Sequence, residues 1–379
     1  MMIFFYIAIA LLLIYGILFQ YYSSWWQAMP HFNMDGFKDW KPTVKISVIV
    51  PARNEQENIA NCLHSICKQN YPSHLFQIIM VDDNSTDKTF ETAAAIFYDE
   101  IEIIRLKLNT PNNVAPKKRA IETGISIASG ELIVTTDADC IAEPNWLRSI
   151  AAYHHQSKNV FVAAPVKIKD GKSLLSKFQA LDFLTMQGIT AAAVFKRFHN
   201  MCNGANLGYE KKIFYEVHGF TGIDNIASGD DMLLMNKIAK QYPQKLGFLN
   251  AQQAIVTTLP AAGWRAFLQQ RIRWASKATH YNEAGIFLVL ILVYLTNLLI
   301  FCFLLLGIFQ KFALLLFLLL CVAKFFMELF FVKNVATFFK QSYLLPWLFI
   351  LQPLHIVYIV VSGFLGQFKT YEWKGRKLK

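Results

Sequence analysis

Residues 45–55 read KISVIVPARNE, an apolar and β-branched run that ends at a proline and is followed by polar side chains. The same order recurs in FQIIMVDDNSTD at residues 76–87 and in ELIVTTDADC at residues 131–140. Short, continuous apolar runs bounded by polar residues are typical of strands buried on both faces. We therefore predict strands at residues 45–50, 76–81, 101–106 and 131–136.

Helical stretches alternate with these strands, near residues 56–68, 87–97, 117–128 and 144–155. This alternation predicts an α/β fold with a mainly parallel sheet and helices on both faces. Ligands bind such sheets beyond the carboxyl ends of the strands, so the polar stretches PARNEQEN, DDNSTD and DADC should line one crevice. No G-x-G-x-x-G follows the first strand, which argues against a dinucleotide oxidoreductase.

Asp137 and Asp139 place two carboxylates directly after the fourth strand. Neighbouring carboxylates at a strand end bind a hard divalent cation that keeps open positions for phosphate oxygens. The alternative is a turn that caps the helix starting near Pro144. Further acids favour the cation site, because Asp83 ends a neighbouring strand and Asp231 lies in a later SGDD stretch.

The chain also has the composition of a membrane protein, with 54% hydrophobic residues and a mean hydropathy of +0.32 over 379 residues. Residues 1–20 carry no charge, and a helix of this length is long enough for one bilayer crossing. A signal peptide is disfavoured because a basic beginning and a small-residue cleavage site are both missing. The predicted organisation is a transmembrane helix at 1–22, a cytoplasmic domain at 44–283, a membrane region at 284–366 and a basic cytoplasmic tail at 367–379.

The membrane region contains two to three hydrophobic segments, at residues 284–309, 311–332 and 343–366. Lys324 and Glu328 are four residues apart, so on a helix they share a face and neutralise each other. Three full crossings after a cytoplasmic domain would leave the tail outside. We therefore expect the last segment, which Pro346 and Pro353 interrupt, to be re-entrant or interfacial.

The formal net charge is +11. The basic residues of the chain flank the hydrophobic segments and do not alternate with aromatic residues, as they would on a nucleic-acid-binding surface. This pattern predicts a multi-pass protein of the cell membrane that binds a lipid bilayer and no nucleic acid. The six cysteines have no metal-binding spacing and indicate free thiols in a reducing compartment. The flanking basic residues are Arg265, Arg271, Arg273, Lys277, Lys369, Lys374, Arg376, Lys377 and Lys379.

Seven stretches together resemble the inverting nucleotide-sugar glycosyltransferases of family 2. The similarity is to the membrane-bound group that includes hyaluronan, chitin and cellulose synthases and the ceramide and carotenoid glycosyltransferases. It implies a GT-A-like fold and metal-dependent transfer of a hexose or N-acetylhexosamine from a UDP-sugar. The stretches are VIVPARNEQENI (48–59), VDDNSTDKT (81–89), PKKRAIETGI (116–125), TTDADC (135–140), GANLGYEKKIF (204–214), SGDDMLL (228–234) and QRIRW (270–274).

The resemblance implies a nucleotide pocket after the first two strands. Asp83 would accept a hydrogen bond from the imide N–H of uracil, and Pro51, Asn54 and Glu55 would form the other side of the base and ribose pocket. The alternative for the DDNSTDKT stretch is a turn and a helix N-cap, which is compatible with the same ligand role.

The diphosphate and the metal are expected to lie beside this pocket. Lys117 or Lys118 would offset diphosphate charge, although both lysines also fit a solvated helix start. Asp137 would serve the ribose or the metal, and Asp139 the metal itself. Mn²⁺ or Mg²⁺ would act there as a Lewis acid for the departing nucleoside diphosphate.

Asp231 is the predicted catalytic base, which takes the proton of the acceptor hydroxyl; a helix N-cap is the alternative. The family usually has Glu-Asp at this point, whereas this chain has Asp230 before Asp231. Gln270, Arg273 and Trp274 fit the Q-x-x-R-W pattern. Its arginine fork suits a diphosphate and its indole ring a sugar face, although a basic, aromatic interfacial helix has the same composition.

The acceptor is predicted to be a membrane lipid or a glycan. About four hydrophobic segments are few for a polymer channel, which favours a lipid over the alternative, a processive synthase of an exported polysaccharide. Two other hypotheses are a catalytically silent scaffold that retains nucleotide binding and a nucleotidyltransferase. The latter leaves SGDD and QRIRW unexplained.

Overall fold

The computed structural model describes residues 2–96, 98, 101–106, 115–226, 228–276, 284–368, 371–373 and 376–378. The chain divides into two compact units. The helical unit comprises Met1–Met29, Ile168–His199 and Pro260–Glu372, and the sheet unit comprises Pro30–Lys167, Asn200–Leu259 and Trp373–Lys379. Of the predicted basic flanks and tail, Lys277, Lys369, Lys374 and Lys379 lie outside the described residues. The predicted domain boundaries stay predictions.

The strands are β1 (Ile46–Ala52), β2 (Phe76–Asp82), β3 (Ile101–Arg105), β4 (Leu132–Thr135), β5 (Ile141–Ala142), β6 (Phe161–Ala163), β7 (Val166–Ile168), β8 (Leu207–Glu210), β9 (Leu246–Phe248), β10 (Val256–Thr258), β11 (Tyr371–Trp373) and β12 (Arg376–Leu378). The helices are α1 (Met2–Ala28), α2 (Ile59–Cys67), α3 (Thr89–Ala94), α4 (Pro116–Ile127), α5 (Trp146–Ser157), α6 (Leu174–Lys196), α7 (Lys211–Glu216), α8 (Met232–Gln241), α9 (Trp264–Ala275), α10 (Ala284–Gly307), α11 (Lys311–Phe338), α12 (Leu345–Ile350) and α13 (Gln352–Gly366).

The main sheet has seven strands in the order β3-β2-β1-β4-β8-β6-β9. β1 pairs in parallel with β2 and β4, β2 with β3, and β6 with β9. β8 runs antiparallel to both of its neighbours, β4 and β6. The four predicted strands and the mainly parallel sheet are therefore confirmed, and the reversed strand β8 is an addition.

The strand order reverses at β1, because the chain proceeds from β1 to β2 and β3 on one side and then returns to β4 on the other side. Such a switch point opens a crevice beyond the carboxyl ends of the two strands that flank it. Asn54 and Glu55 follow β1, and Asp137 and Asp139 follow β4. These predicted site residues consequently lie at the two edges of the crevice.

Helix α4 connects β3 to β4 and packs closely on the sheet. A Cβ at Gly124 would lie 2.8 Å from Cγ2 of Ile49 in β1, so glycine permits this close approach. Pro116 occupies the first turn, where its missing N–H leaves no helical hydrogen bond unmade. A helix that connects parallel strands runs antiparallel to them, so the first turn of α4 lies at the carboxyl end of the sheet.

In the helical unit, α1, α10 and α11 are each long and apolar enough to cross a bilayer, with mean hydropathies of 2.7, 2.8 and 2.4. Residues Ser342–Ile350 and Gln352–Gly366 form a pair of helices bent by 75°, which has the geometry of a broken span or a re-entrant loop. The pair coincides with the segment that Pro346 and Pro353 were expected to interrupt.

The predicted neutralisation inside α11 is confirmed. The Nζ atom of Lys324 lies 2.6 Å from Oε1 of Glu328, and both side chains are buried. Each charge has its partner one helical turn away, so neither charged group lies on the exposed surface of α11.

Candidate active site

The loops after β1 and β2 are held together by hydrogen bonds. The backbone N–H of Thr86 donates to Oδ1 of Asn54 over 2.8 Å, and the N–H of Glu55 donates to Oγ1 of Thr89 over 2.7 Å. Asn54 adopts a φ of 51°, a left-handed conformation that asparagine tolerates better than most residues. The Asn54 side chain therefore shapes the predicted base pocket by holding the backbone of the loop after β2. Its contact with a nucleotide, like those of Pro51 and Glu55, stays a prediction.

Asp83 is buried and contacts two arginines that are not among the predicted site residues. Nη2 of Arg119 lies 3.2 Å from Oδ1 of Asp83, and Nη1 of Arg53 donates to the Asp83 carbonyl over 2.6 Å. Both arginines lie inside the quoted motifs, Arg53 in PARN and Arg119 in PKKR. An arginine directly after the two lysines of α4 was the available signal, but sequence alone does not tell which side chain faces the strands.

Lys117 provides the positive charge between the acidic stretches. Its Nζ atom lies 2.8 Å from Oδ1 of Asp137 and 3.2 Å from Oδ2 of Asp230. Burial alone disfavours the charged ammonium group, but the carboxylates of Asp137 and Asp230 raise the pKa of Lys117 well above its ordinary value. Lys117 therefore stays charged and joins the DADC stretch to the SGDD stretch.

The neighbouring Lys118 has a different environment. Its side chain is buried, and its Nζ atom donates to the carbonyls of Ile223, Ile226 and Ser228 over 2.6, 2.7 and 3.2 Å. Lys118 thus supports the loop that leads into SGDD. Of the two lysines that the sequence left as alternatives, Lys117 is the one that reaches the acidic cluster.

Asp231 holds both the capping position and a place in this cluster. Its Oδ1 atom accepts from the N–H of Met232 over 2.7 Å and its Oδ2 atom from the N–H of Gly204 over 3.0 Å. A Cβ at Gly204 would lie 3.2 Å from Oδ2 of Asp230 and 3.3 Å from Nζ of Lys117. The GANLGYE and SGDD stretches therefore meet around Lys117, and the helix N-cap predicted as an alternative for Asp231 is present.

Asp139 lies close to two other carboxylates, those of Asp137 and Glu55. Burial, followed by the charges of Asp137 and Glu55, raises the pKa of the Asp139 carboxyl to about 6. Thr258 donates a hydrogen bond to Oδ2 of Asp139 over 3.2 Å, and the Cys140 thiol donates to Oδ1 over 3.5 Å. A cation would relieve the repulsion among these three carboxylates.

The donor set fits a divalent cation that shares its coordination with a substrate. Within the described ranges, no group of three or more His, Cys, Asp or Glu side chains is arranged to hold a metal ion. Mg²⁺ is commonly bound by one or two carboxylates together with substrate phosphates rather than by a complete protein cage. The carboxylates of Asp137 and Asp139 are hard oxygen donors of this kind, and their role as metal ligands stays a prediction.

Gln270, Arg273 and Trp274 lie on α9, which belongs to the helical unit. Arg271, which directly follows Gln270, is buried, and its Nη2 atom lies 2.6 Å from Oδ2 of Asp182 in α6. The cluster around Lys117 and the pair of Asp83 with Arg119 belong to the sheet unit. Within that unit, the first turn of α4 joins the polar ends of β2 and β4 and the SGDD stretch.

The sheet topology agrees with the predicted GT-A-like α/β fold, and comparisons with known proteins extend this likeness. Residues 47–217 match the model of glycosyl transferase family 2. The mannosyltransferase PcManGT from Pyrobaculum calidifontis, solved in complex with GDP-Man and Mn²⁺, superposes with a TM-score of 0.58 at 18% identity, covering 95% of this chain and 99% of its own. That likeness supports the predicted fold.

Curated relatives extend the match in sequence. The probable glycosyltransferase YdaM of Bacillus subtilis (strain 168) is 24% identical over 261 residues, which are 68% of this chain and 60% of the relative. The beta-monoglucosyldiacylglycerol synthase of Nostoc sp. (strain PCC 7120 / SAG 25.82 / UTEX 2576) is 28% identical over 115 residues, 30% of this chain and 24% of that protein. The chain thus spans less than two thirds of the length of these relatives.

Proposed function

We propose that this protein is a membrane-anchored, inverting glycosyltransferase that moves a sugar from a UDP-sugar to a membrane lipid. The observation that carries the proposal is the cluster of Lys117 with Asp137, Asp230 and Asp231 at the switch point of a family 2 domain. A cationic group between carboxylates, beside a crevice, is suited to a substrate that itself carries a diphosphate.

On the donor side, the ammonium group of Lys117 would neutralise one phosphate, and Asp83, which directly follows β2, would accept a hydrogen bond from the imide N–H of the base. Asp137 and Asp139 would hold Mn²⁺ or Mg²⁺, which when bound supplies Lewis-acid stabilisation of the leaving diphosphate. Arg273 and Trp274 of α9 contribute a guanidinium fork for phosphate and an apolar ring for the sugar.

On the acceptor side, Asp231 takes the proton of the attacking hydroxyl. Each of its oxygens already accepts one backbone N–H, and these two bonds fix the plane of the carboxylate. A carboxylate oxygen can accept a second hydrogen bond, so the orientation is set before the acceptor arrives. Attack from the face opposite the diphosphate inverts the anomeric centre.

The proposed membrane topology is based on three long apolar helices and one bent pair of helices. If α1, α10 and α11 each cross the bilayer and the bent pair α12–α13 re-enters the same leaflet, the sheet unit and the tail share the cytoplasmic side. The six free cysteines agree with that reducing compartment. A lipid acceptor would diffuse to the enzyme within the bilayer. The Nostoc relative is named a beta-monoglucosyldiacylglycerol synthase.

A donor screen tests this function. Purified protein in lipid vesicles that contain diacylglycerol and host membrane lipids is given UDP-glucose, UDP-galactose, UDP-N-acetylglucosamine or GDP-mannose, and release of nucleoside diphosphate is measured. We expect release with one UDP-sugar and a product of lipid plus one sugar by mass spectrometry. A polymer would indicate the processive alternative, pyrophosphate a nucleotidyltransferase, and nucleotide binding without turnover a scaffold.

A further inference from the structure

Helix α8 begins directly after Asp231, so the direction of this helix affects where the Asp231 carboxylate lies. Asp231 is the N-cap of α8, and its backbone carbonyl accepts from the N–H of Met235 over 2.9 Å. Its side chain accepts from the N–H of Gly204 over 3.0 Å, which attaches this end of α8 to the GANLGYE stretch. A helix that is attached at one point can pivot about it, so a second attachment is needed to fix its direction.

The ammonium group of Lys237 supplies a second attachment. Lys237 lies in the second turn of α8, six residues after Asp231. Its Nζ atom donates to the carbonyls of Gly219 and Thr221 over 2.7 and 2.8 Å, and to that of His218 over 3.5 Å. We call residues 218–221 the carbonyl turn. Because this turn follows β8 and α7 in the chain, Lys237 ties α8 to the segment that continues from the GANLGYE stretch.

The carbonyl turn has a backbone conformation that needs support. His218 and Gly219 adopt φ values of 57° and 46°, which places two consecutive residues in the left-handed region. A Cβ at Gly219 would lie 2.7 Å from Cζ of Phe214 in α7, so the turn also packs closely on that helix. Strained backbone persists only where its surroundings hold it, and the contacts of Lys237 are part of those surroundings.

Helix α4 holds the rest of the loop that leads to Asp231. Lys118 donates to three carbonyls within residues 223–228, and Lys117 contacts the carboxylate of Asp230. The loop is therefore attached to α8 by Lys237 at its start and to α4 at its end.

The position of Lys237 is unfavourable for its charge. Burial lowers the pKa of Lys237 below its ordinary value, and the charges of Asp224 and Glu122 oppose this only in part. The three carbonyl acceptors replace water that burial removes. The side chain is therefore held in place by its contacts with the carbonyl turn.

We propose that Lys237 is a positioning residue for glycosyl transfer, which holds the Asp231 carboxylate in reach of the acceptor hydroxyl by tying α8 to the carbonyl turn. The proposal rests on the proposed function, because that function makes Asp231 the base. Lys237 acts through α8 and needs no contact with the substrates. A base must lie within hydrogen-bond reach of the proton it removes, so a shift of about 1 Å in α8 is expected to lower the rate by up to about 100-fold.

The test compares transfer with donor binding in Lys237→Met. Methionine keeps an unbranched apolar side chain and removes the three donors. Full-length protein in lipid vesicles is assayed at a temperature where circular dichroism shows the variant to be folded. We expect kcat for transfer of labelled sugar to fall by about 10- to 100-fold while the UDP dissociation constant stays within about twofold, because the contacts of Lys117 are unchanged.

Two other substitutions of Lys237 keep the test decisive. Lys237→Arg, which retains a positive charge and several donors, should recover most of the rate. If Lys237→Met does not fold, Lys237→Gln, whose amide still donates, is measured in the same way and should show the same split between rate and affinity.

A double variant distinguishes positioning from a general loss of stability. Asp231→Asn removes the base, so Asp231→Asn/Lys237→Met should transfer no more slowly than Asp231→Asn, because both changes act through one carboxylate. A loss of folded enzyme would instead multiply the two effects.

Tyr242→Phe is the matched control, because it removes another contact between α7 and α8. The Tyr242 hydroxyl donates to Oε2 of Glu216 at an exposed position. Water can replace that hydrogen bond, so transfer should stay within about twofold of the wild-type rate.

The outcomes separate this proposal from the proposed function. Wild-type kcat in Lys237→Met, equal losses of transfer and UDP binding, or a double variant whose loss is the product of the single losses would overturn the positioning role while glycosyl transfer stands. If the wild type turns over no UDP-sugar, or Asp231→Asn transfers at the wild-type rate, the proposed function or its base fails first, and the role of Lys237 fails with it.

Discussion

Two clusters in this chain place a basic side chain against carboxylates, and they differ in their access to water. In the sheet unit, Lys117 and Asp137 expose 22% and 36% of their side chains, whereas in the helical unit Lys324 and Glu328 expose 0% and 6%. A pair that water can still reach can exchange its partner for a ligand at a lower cost than a fully buried pair. A fully buried pair cannot be separated without leaving an unpaired charge in an apolar medium.

The two clusters contain similar lysine and carboxylate groups but differ in the role to which they are suited. The Lys117 cluster is suited to binding a charged substrate, and the buried Lys324–Glu328 pair is suited to a structural role. The predictions below change one cluster at a time. Changes at the Lys117 cluster are expected to affect ligand binding or turnover, and changes at the buried Lys324–Glu328 pair to affect stability. Interchanged effects would contradict the difference between the two clusters.

The largest effect is expected from removal of the divalent cation. Treatment with a chelator should lower turnover by at least about 1,000-fold, since Lewis-acid stabilisation of a leaving group contributes several kcal/mol. Addition of Mn²⁺ or Mg²⁺ should restore it. Activity that persists after exhaustive chelation would contradict the roles of Asp137 and Asp139.

The second prediction concerns the buried pair. Lys324→Met should lower the free energy of unfolding by about 3–5 kcal/mol, because it leaves Glu328 charged and unpaired. The double variant Lys324→Met/Glu328→Met should recover most of the loss. Unfolding in detergent, followed by circular dichroism, measures both, and a double variant less stable than the single one would show that the pair itself stabilises the fold.

The third prediction separates two adjacent lysines. Lys117→Met should weaken UDP binding by about 10-fold or more with little change in stability, because it removes a charge-assisted contact from a partly exposed site. Lys118→Met should instead lower the free energy of unfolding by about 1–3 kcal/mol, since three carbonyls lose the buried ammonium group that donates to them. Calorimetry and thermal unfolding on both variants provide the comparison, and reversed effects would overturn the assignment.

The smallest effect is expected at Gly204. In Gly204→Ala the new methyl group meets the ends of two flexible side chains, Asp230 and Lys117, which can shift by a few tenths of an ångström. Turnover should fall by less than about tenfold without loss of stability. Gly36→Ala is the matched control, because a Cβ there meets nothing within 4 Å.

The sequence predicted the local structure of the first half of the sheet unit well. Strands β1 to β4 and helices α2 to α5 lie within a few residues of their predicted positions, because each is a clear apolar or periodic run. The short strands β5 to β10 were not predicted. They have two to four residues each, too few to show a periodicity of their own.

The composition of the candidate site was predictable only in part. Asp137 and Asp139 stand out because they follow an apolar run, and Asp231 because it precedes one, but the partners of such acids depend on packing between distant segments. Thr258 meets Asp139 from 119 residues away, and Arg271 meets Asp182 from 89 residues away. A local pattern in the sequence does not contain such contacts.

The most direct test of the proposed chemistry is Asp231→Asn, assayed for UDP binding and for transfer of labelled sugar to lipid in the same preparation. We expect the UDP dissociation constant to stay within about twofold while the rate of transfer falls by about 100- to 10,000-fold, the usual contribution of a general base. Asp35→Asn, at an exposed position of the short 3₁₀ helix Met34–Phe37, should change neither quantity. Transfer at the wild-type rate by Asp231→Asn would contradict the account, because the acceptor would then lose its proton without this carboxylate.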